Sequence, residues 1–203
     1  SNKLKALPLS FSQLKKLPRL NLEQNCIHTF PANITELKCH IVSWSKLNLR
    51  QIPPSIGDMG ATLVSLTADH NRLKRIPRSI GKLTVLEHLS LCDNQIKLVP
   101  DDICKCVSLK RLWLDWNKVS ELPPDFLNLT KLESIHLEGN PMKIPEMDII
   151  VAGIPRLRAW FVESVDFYRT KERRAIVQHI QSILGIFHQE KKHLPQYFEP
   201  GKQ

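Results

Sequence analysis

An apolar residue followed by proline recurs along the chain at nearly constant spacing, as Leu7-Pro8, Phe30-Pro31, Ile52-Pro53, Ile76-Pro77, Val99-Pro100 and Leu122-Pro123. A unit this short cannot bury its own apolar side, so units must stack in a row and cover one another. Aligned on the pairs, the chain shows a 22 to 24 residue unit of the form L-x-x-L-x-L-x-x-N-x-L-x-x-L-P-x-x-I-x-x-L. It is clearest in Leu86, Leu89, Leu91, Asn94, Ile96, Val99, Pro100 and Ile103, and again in Leu109, Leu112, Leu114, Asn117, Val119, Leu122, Pro123 and Phe126. The same frame fits units beginning at Leu17, Cys39, Leu63 and Leu132, and Asn2, Leu4, Leu7, Pro8 and Phe11 form the back half of a seventh.

Side chains alternate across a strand, so the L-x-L segment predicts a short strand with its leucines inward and the residues between them outward. Asparagine at position nine turns the chain, and its amide can bond backbone groups that no regular ladder reaches. Proline then restricts the chain to an extended or turn conformation on the outer side. The second unit departs from the template, with Leu47 in place of the asparagine and Trp44 at the second inward position. Its ladder is expected to be weaker, and Ala68 in the next unit is expected to compensate the volume of Trp44.

These units resemble the leucine-rich repeat family over about residues 1 to 150, which implies an α/β solenoid with a curved parallel sheet on its concave face. From Gly139 to Phe161 the sequence (E-G-N-P-M-K-I-P at the start, then R-L-R-A-W-F) resembles the end cap of cytosolic Ras-group-type repeat proteins. Extracellular relatives close with a cysteine-bonded cap instead, and no cysteine follows Cys106. The expected organisation is repeats over 1–154, a C-terminal helical cap or extension over 155–192 and a flexible tail over 193–203. Ile176, Ile180, Ile183 and Phe187 share one helical face in the extension. The chain opens inside a repeat, which reads as a fragment of a longer protein, and the segment Ser1 to Lys5 has no apolar core of a secretory signal.

With the frame fixed, the concave face is written column by column. Arg19, Ile41, Ser65, His88, Arg111 and Ser134 form one column; Asn21, Ser43, Thr67, Ser90, Trp113 and His136 the next. The third, Glu23, Ser45, Asp69, Cys92, Asp115 and Glu138, is an acidic stripe that favours a basic or hydrogen-bond-rich protein partner and repels phosphate backbones. Trp113 and Trp116 both face outward in the fifth unit beside Arg111 and Asp115, and tryptophan and arginine dominate binding hot spots. The competing structural reading is that the indoles stack on each other, His88 and His136.

The net charge of +9 comes from elsewhere. Lys3, Lys5, Arg50, Arg72, Lys74, Arg75, Lys97 and Lys118 follow the strands and line one rim. A solvated edge explains them better than an anionic docking surface built on Arg72, Lys74 and Arg75. Without an interleaved aromatic platform or a known motif, the rim does not predict nucleic-acid binding, and membrane binding is not favoured either.

A mean hydropathy of −0.23 and the lack of an apolar run near 18 residues describe a globular chain rather than a membrane-spanning one. Its five cysteines, an odd number, suggest no paired framework and predict a reducing, cytoplasmic compartment. No phosphate loop, nucleophile elbow or H-E-x-x-H pair occurs. Cys92, His136 and Asp69 share the concave sheet, but an open sheet excludes no water and supplies no oxyanion site. The expectation is a non-catalytic protein-interaction scaffold in intracellular signalling, with no cofactor, metal or small-molecule substrate. The Ras-group resemblance implies partners such as small GTPases or phosphatase subunits. The alternative is the substrate- or regulator-binding segment of a larger kinase, GTPase or ubiquitin ligase.

Overall fold

The computed structural model describes residues 3–14, 17–28, 30 and 34–164; the apolar face of Ile176, Ile180, Ile183 and Phe187 and the tail from His193 lie outside them. One strand per unit is present: β1 (Arg19–Asn21), β2 (Ile41–Ser43), β3 (Ser65–Thr67), β4 (His88–Ser90), β5 (Arg111–Trp113) and β6 (Ser134–His136). They form a single parallel sheet in sequence order. Pairing is in register throughout, so Leu20, Val42, Leu66, Leu89, Leu112 and Ile135 stand side by side, all buried.

After each strand the chain crosses the core and turns at proline. Pro53, Pro77, Pro100 and Pro123 hold φ between −54° and −70° with extended ψ, and each leads into a short 3₁₀ helix on the outer side. These outer turns stack closely: a Cβ on Gly81 would come 2.5 Å from the Asp102 carbonyl oxygen, so that position admits no side chain.

Asparagine rungs join the coils internally. The Asn94 amide donates to the carbonyls of Leu91 in its own unit and Ala68 in the preceding one, while its Oδ1 accepts Leu73 N–H. Asn117 repeats the arrangement with Leu114, Leu91 and Ile96. Leu47 can donate no such bond, and the ladder misses a rung in the second unit, as the sequence predicts. On its other side the second unit is held by Asn71 of the third, which accepts both Leu47 N–H and Leu49 N–H. Trp44 is fully buried beside Phe30, ring centroids 4.4 Å apart, and Ala68 lies buried in the next coil. The Trp44 indole nitrogen is buried without a partner among the described residues.

At the far end α1 (Met147–Val151) and α2 (Ile154–Glu163) close the last coil. Phe161 stacks on Phe126 at 5.6 Å, and Arg158 donates to the carbonyls of Leu129 and Thr130. α2 therefore lies in the same compact unit as the repeats, which runs through Glu163. Ile150, Leu157 and Phe161 supply its buried side, while Ile149 and Trp160 remain half-buried because helical phase turns them off the contact. Among the described residues no helix is long and apolar enough to cross a membrane.

Candidate functional site: the concave face

The in-register sheet brings the outward residues into the columns that the sequence frame predicts. Side chains from three to six coils thus meet on one surface although they are some 23 residues apart in sequence. Trp113 is 38% exposed and lies against His136, ring centroids 5.6 Å apart. Trp116 is 62% exposed and covers Gly139, where a Cβ would come 2.7 Å from the indole. The two tryptophans therefore each cover a neighbour in the next coil, yet both keep substantial open surface. Arg111, on β5 beside His88 of β4, is exposed, with no ion pair among the described residues.

The acidic stripe has a structural share that the sequence did not show. Asp69 Oδ1 accepts Cys92 N–H and the Ser90 hydroxyl, each at 2.7 Å, and Asp115 Oδ1 accepts Glu138 N–H at 2.7 Å. Each aspartate thus caps the next coil. Burial pushes the Asp69 carboxyl above its ordinary range against the pull of these hydrogen bonds. Glu138 is exposed and Glu23 half-buried at the two ends of the stripe.

A further column was missed apart from Trp116. Gln24, Lys46, His70, Asp93, Trp116 and Gly139 occupy position eight, all with φ between 51° and 69°. Only Gly139 carries the residue type that advertises this conformation, so composition gave almost no signal. The shape is imposed by the ladder: Lys46, His70, Asp93 and Trp116 each donate their N–H to a carbonyl of the next coil. The turn projects the side chain outward, and His70 Nδ1 meets Asp93 Oδ2 at 2.8 Å.

Residues 61–119 match the leucine rich repeat family profile. The chain folds as a leucine-rich repeat solenoid. It is similar to a leucine-rich repeat protein of Leptospira interrogans, with 27% identity and a TM-score of 0.64 over 71% of this chain and 42% of that one. It also resembles the ectodomain of the Arabidopsis thaliana membrane receptor kinase GASSHO1/SCHENGEN3, solved in complex with Casparian strip integrity factor 2 (29%, TM-score 0.57, 68% of this chain and 17% of that one). An internalin of Listeria monocytogenes shares the fold at 22% identity (TM-score 0.59, 69% of this chain and 39% of that one). The solenoid thus spans less than half the length of each of these proteins. No curated protein matches it by sequence.

The thiols of the solenoid are poorly placed for chemistry. Cys92 sits on the concave sheet with Sγ 3.8 Å from Asp115 Oδ2, and burial pushes its pKa up. Cys104 and Cys106 are buried on the outer side and pushed up to about 12. A protonated thiol is a weak nucleophile and metal ligand, so Cys92, His136 and Asp69 do not make an activated set. No group of three or more His, Cys, Asp or Glu is arranged for a metal among the described residues. On the rim, Arg72, Lys74 and Arg75 are all exposed.

Proposed function

We propose that the solenoid is a non-catalytic protein-binding module that engages its partner on the concave face around Trp113 and Trp116. Leucine-rich repeats generally mediate protein–protein interaction, and the observation that carries the site is the pair of open indoles on one coil of a mostly polar face. Arg111, His88, Asp115, His136, Glu138, Asp69 and Glu23 surround the pair or extend along the same face. Asp69 and Asp115 contribute mainly by fixing the coils beneath the partner. The reading places the protein in cytoplasmic signalling, with a small GTPase or phosphatase subunit as the partner class that its resemblance suggests.

The test is binding of a captured partner to the wild type and to the Trp113→Ala, Trp116→Ala double variant. Loss of about 2 kcal/mol or more is expected, the scale of a hot spot. Undiminished binding with an unchanged melting curve refutes the site. A second reading, the recognition segment of a larger enzyme, draws support from the short span of the chain on its solved neighbours, one of which is a receptor kinase ectodomain. The full-length reading frame decides between a free-standing module and that segment.

A further inference from the structure

Across β3 to β5 the concave sheet holds a depression of about 210 Å³, lined chiefly by Ser65, Thr67, His88, Ser90, Arg111 and Trp113. It is smaller than the roughly 300 Å³ at which drug-sized ligand pockets begin, and suits one side chain of a larger partner. No carboxylate lines it. Those of the adjoining column bond within the protein: Asp69 accepts Cys92 N–H and the Ser90 hydroxyl, and Asp115 accepts Glu138 N–H.

Apart from the Ser90 hydroxyl, which Asp69 holds, several polar groups that line it are unclaimed. Arg111 has no ion pair, and the Ser65 and Thr67 hydroxyls have no hydrogen bond, among the described residues. His88 Nδ1 is buried without a partner, and its Nε2 stands 4.0 Å from Glu87 Oε2, which Lys110 already holds at 2.9 Å. An unpaired guanidinium beside free hydroxyls is complementary to an anionic acceptor.

We propose that this depression receives the carboxylate of an aspartate or glutamate from an acidic segment of the protein partner. Arg111 forms the ion pair, the hydroxyls of Ser65 and Thr67 donate, and the Trp113 indole packs against the apolar part of the same segment. The proposal rests on the concave-face reading and deepens it. It departs from the preference that the acidic stripe suggests, because the depression itself is lined by Arg111 and hydroxyls and by no carboxylate.

Random-peptide display on the immobilised full chain tests it, with selected sequences read for wild type, Arg111→Gln and Arg111→Glu. Arg111 is exposed, and equal melting temperatures confirm that the variants stay folded. The expected result is enrichment of Asp or Glu at one fixed position in the wild-type pool, with about tenfold weaker binding of those peptides to Arg111→Gln. Arg111→Glu is expected to select Lys or Arg at that position instead. Peptides that require Trp113 and Trp116 but show no acidic position leave the concave-face reading intact and overturn this inference. Acidic peptides that bind Arg111→Gln undiminished also overturn it, as does a selection that yields no binders. Peptides indifferent to the tryptophan substitutions overturn both.

Discussion

At the residue scale, the repeat's buried asparagines concentrate more hydrogen bonds than any other side chain in the core. Asn71 Nδ2 reaches the carbonyls of Trp44, Ala68 and Asp69 while Oδ1 accepts two N–H groups. Asn71→Ala would leave buried backbone groups unpaired, and a loss of about 3 kcal/mol is expected in urea unfolding. Asn140 closes the ladder where its amide is only part-buried, so Asn140→Ala is expected to cost about 1 kcal/mol. Asp69 predicts a pH dependence. Its folded-state pKa is raised, so the folded protein holds the proton more tightly than the unfolded chain in the interval between the two values. Relative to Asp69→Asn, wild-type stability is therefore expected to fall as pH rises from about 4 through the folded-state value and to level off above it. Equal slopes in paired urea melts would show the burial to be inconsequential. The thiols give a simpler check. Cys26 is exposed, whereas Cys39, Cys104 and Cys106 are buried with raised pKa values. Alkylation at pH 8 followed by mass spectrometry is expected to modify Cys26 first and those three only on unfolding.

At the scale of elements, each strand is three residues long and gains its stability from the coils on either side. The last strand has such a neighbour on one side only, and α1 with α2 replaces the missing coil. Phe161→Ala removes a ring stacked on Phe126 and is expected to cost about 3 to 5 kcal/mol, seen as a lower melting midpoint. Val162→Ala, on the open side of the same helix, is expected to change stability little. A small effect of Phe161→Ala would mean that α2 rests on the repeats without sealing them. Repeat spacing and the change to helix near the end of the repeats were readable in the sequence because both are periodicities of burial, although α1 begins at Met147, before the expected boundary at 155. Which side of α2 faces the last coil was not, since Leu157, Trp160 and Phe161 are all apolar and only packing against Phe126 selects among them.

At the scale of the whole molecule, a solenoid has no contacts between distant coils, so local weakness shows locally. Each asparagine reaches back to the preceding coil, so the missing rung at Leu47 lies between the first and second units, at the end of the row. Native-state hydrogen exchange is expected to be faster in the amides of units one and two than in those of units three to five. Uniform protection would show that the missing rung is inconsequential. The basic rim is expected to act as a solvated edge: vesicles of anionic lipid at 0.15 M salt should bind the protein weakly, and replacing Arg72, Lys74 and Arg75 by glutamine should change little. Tight, salt-sensitive binding that these substitutions abolish would assign the rim a membrane role.

The sequence by itself determined the number of coils, the inward and outward sets and the composition of each concave column. It did so because burial in a stacked repeat depends on position within the unit, and position is visible as period. Tertiary structure alone decided how those outward residues divide their bonds. Asp69 and Asp115 read as free charges until the next coil brings Cys92 N–H and Glu138 N–H within 2.7 Å. Trp116 read as a surface indole until Gly139, one coil on, is found beneath it. Arg111, by contrast, stays unpaired among the described residues. Hydrogen bonding depends on distances across coils some 23 residues apart, and the linear pattern specifies which residues share a column but not which of their polar atoms are already satisfied.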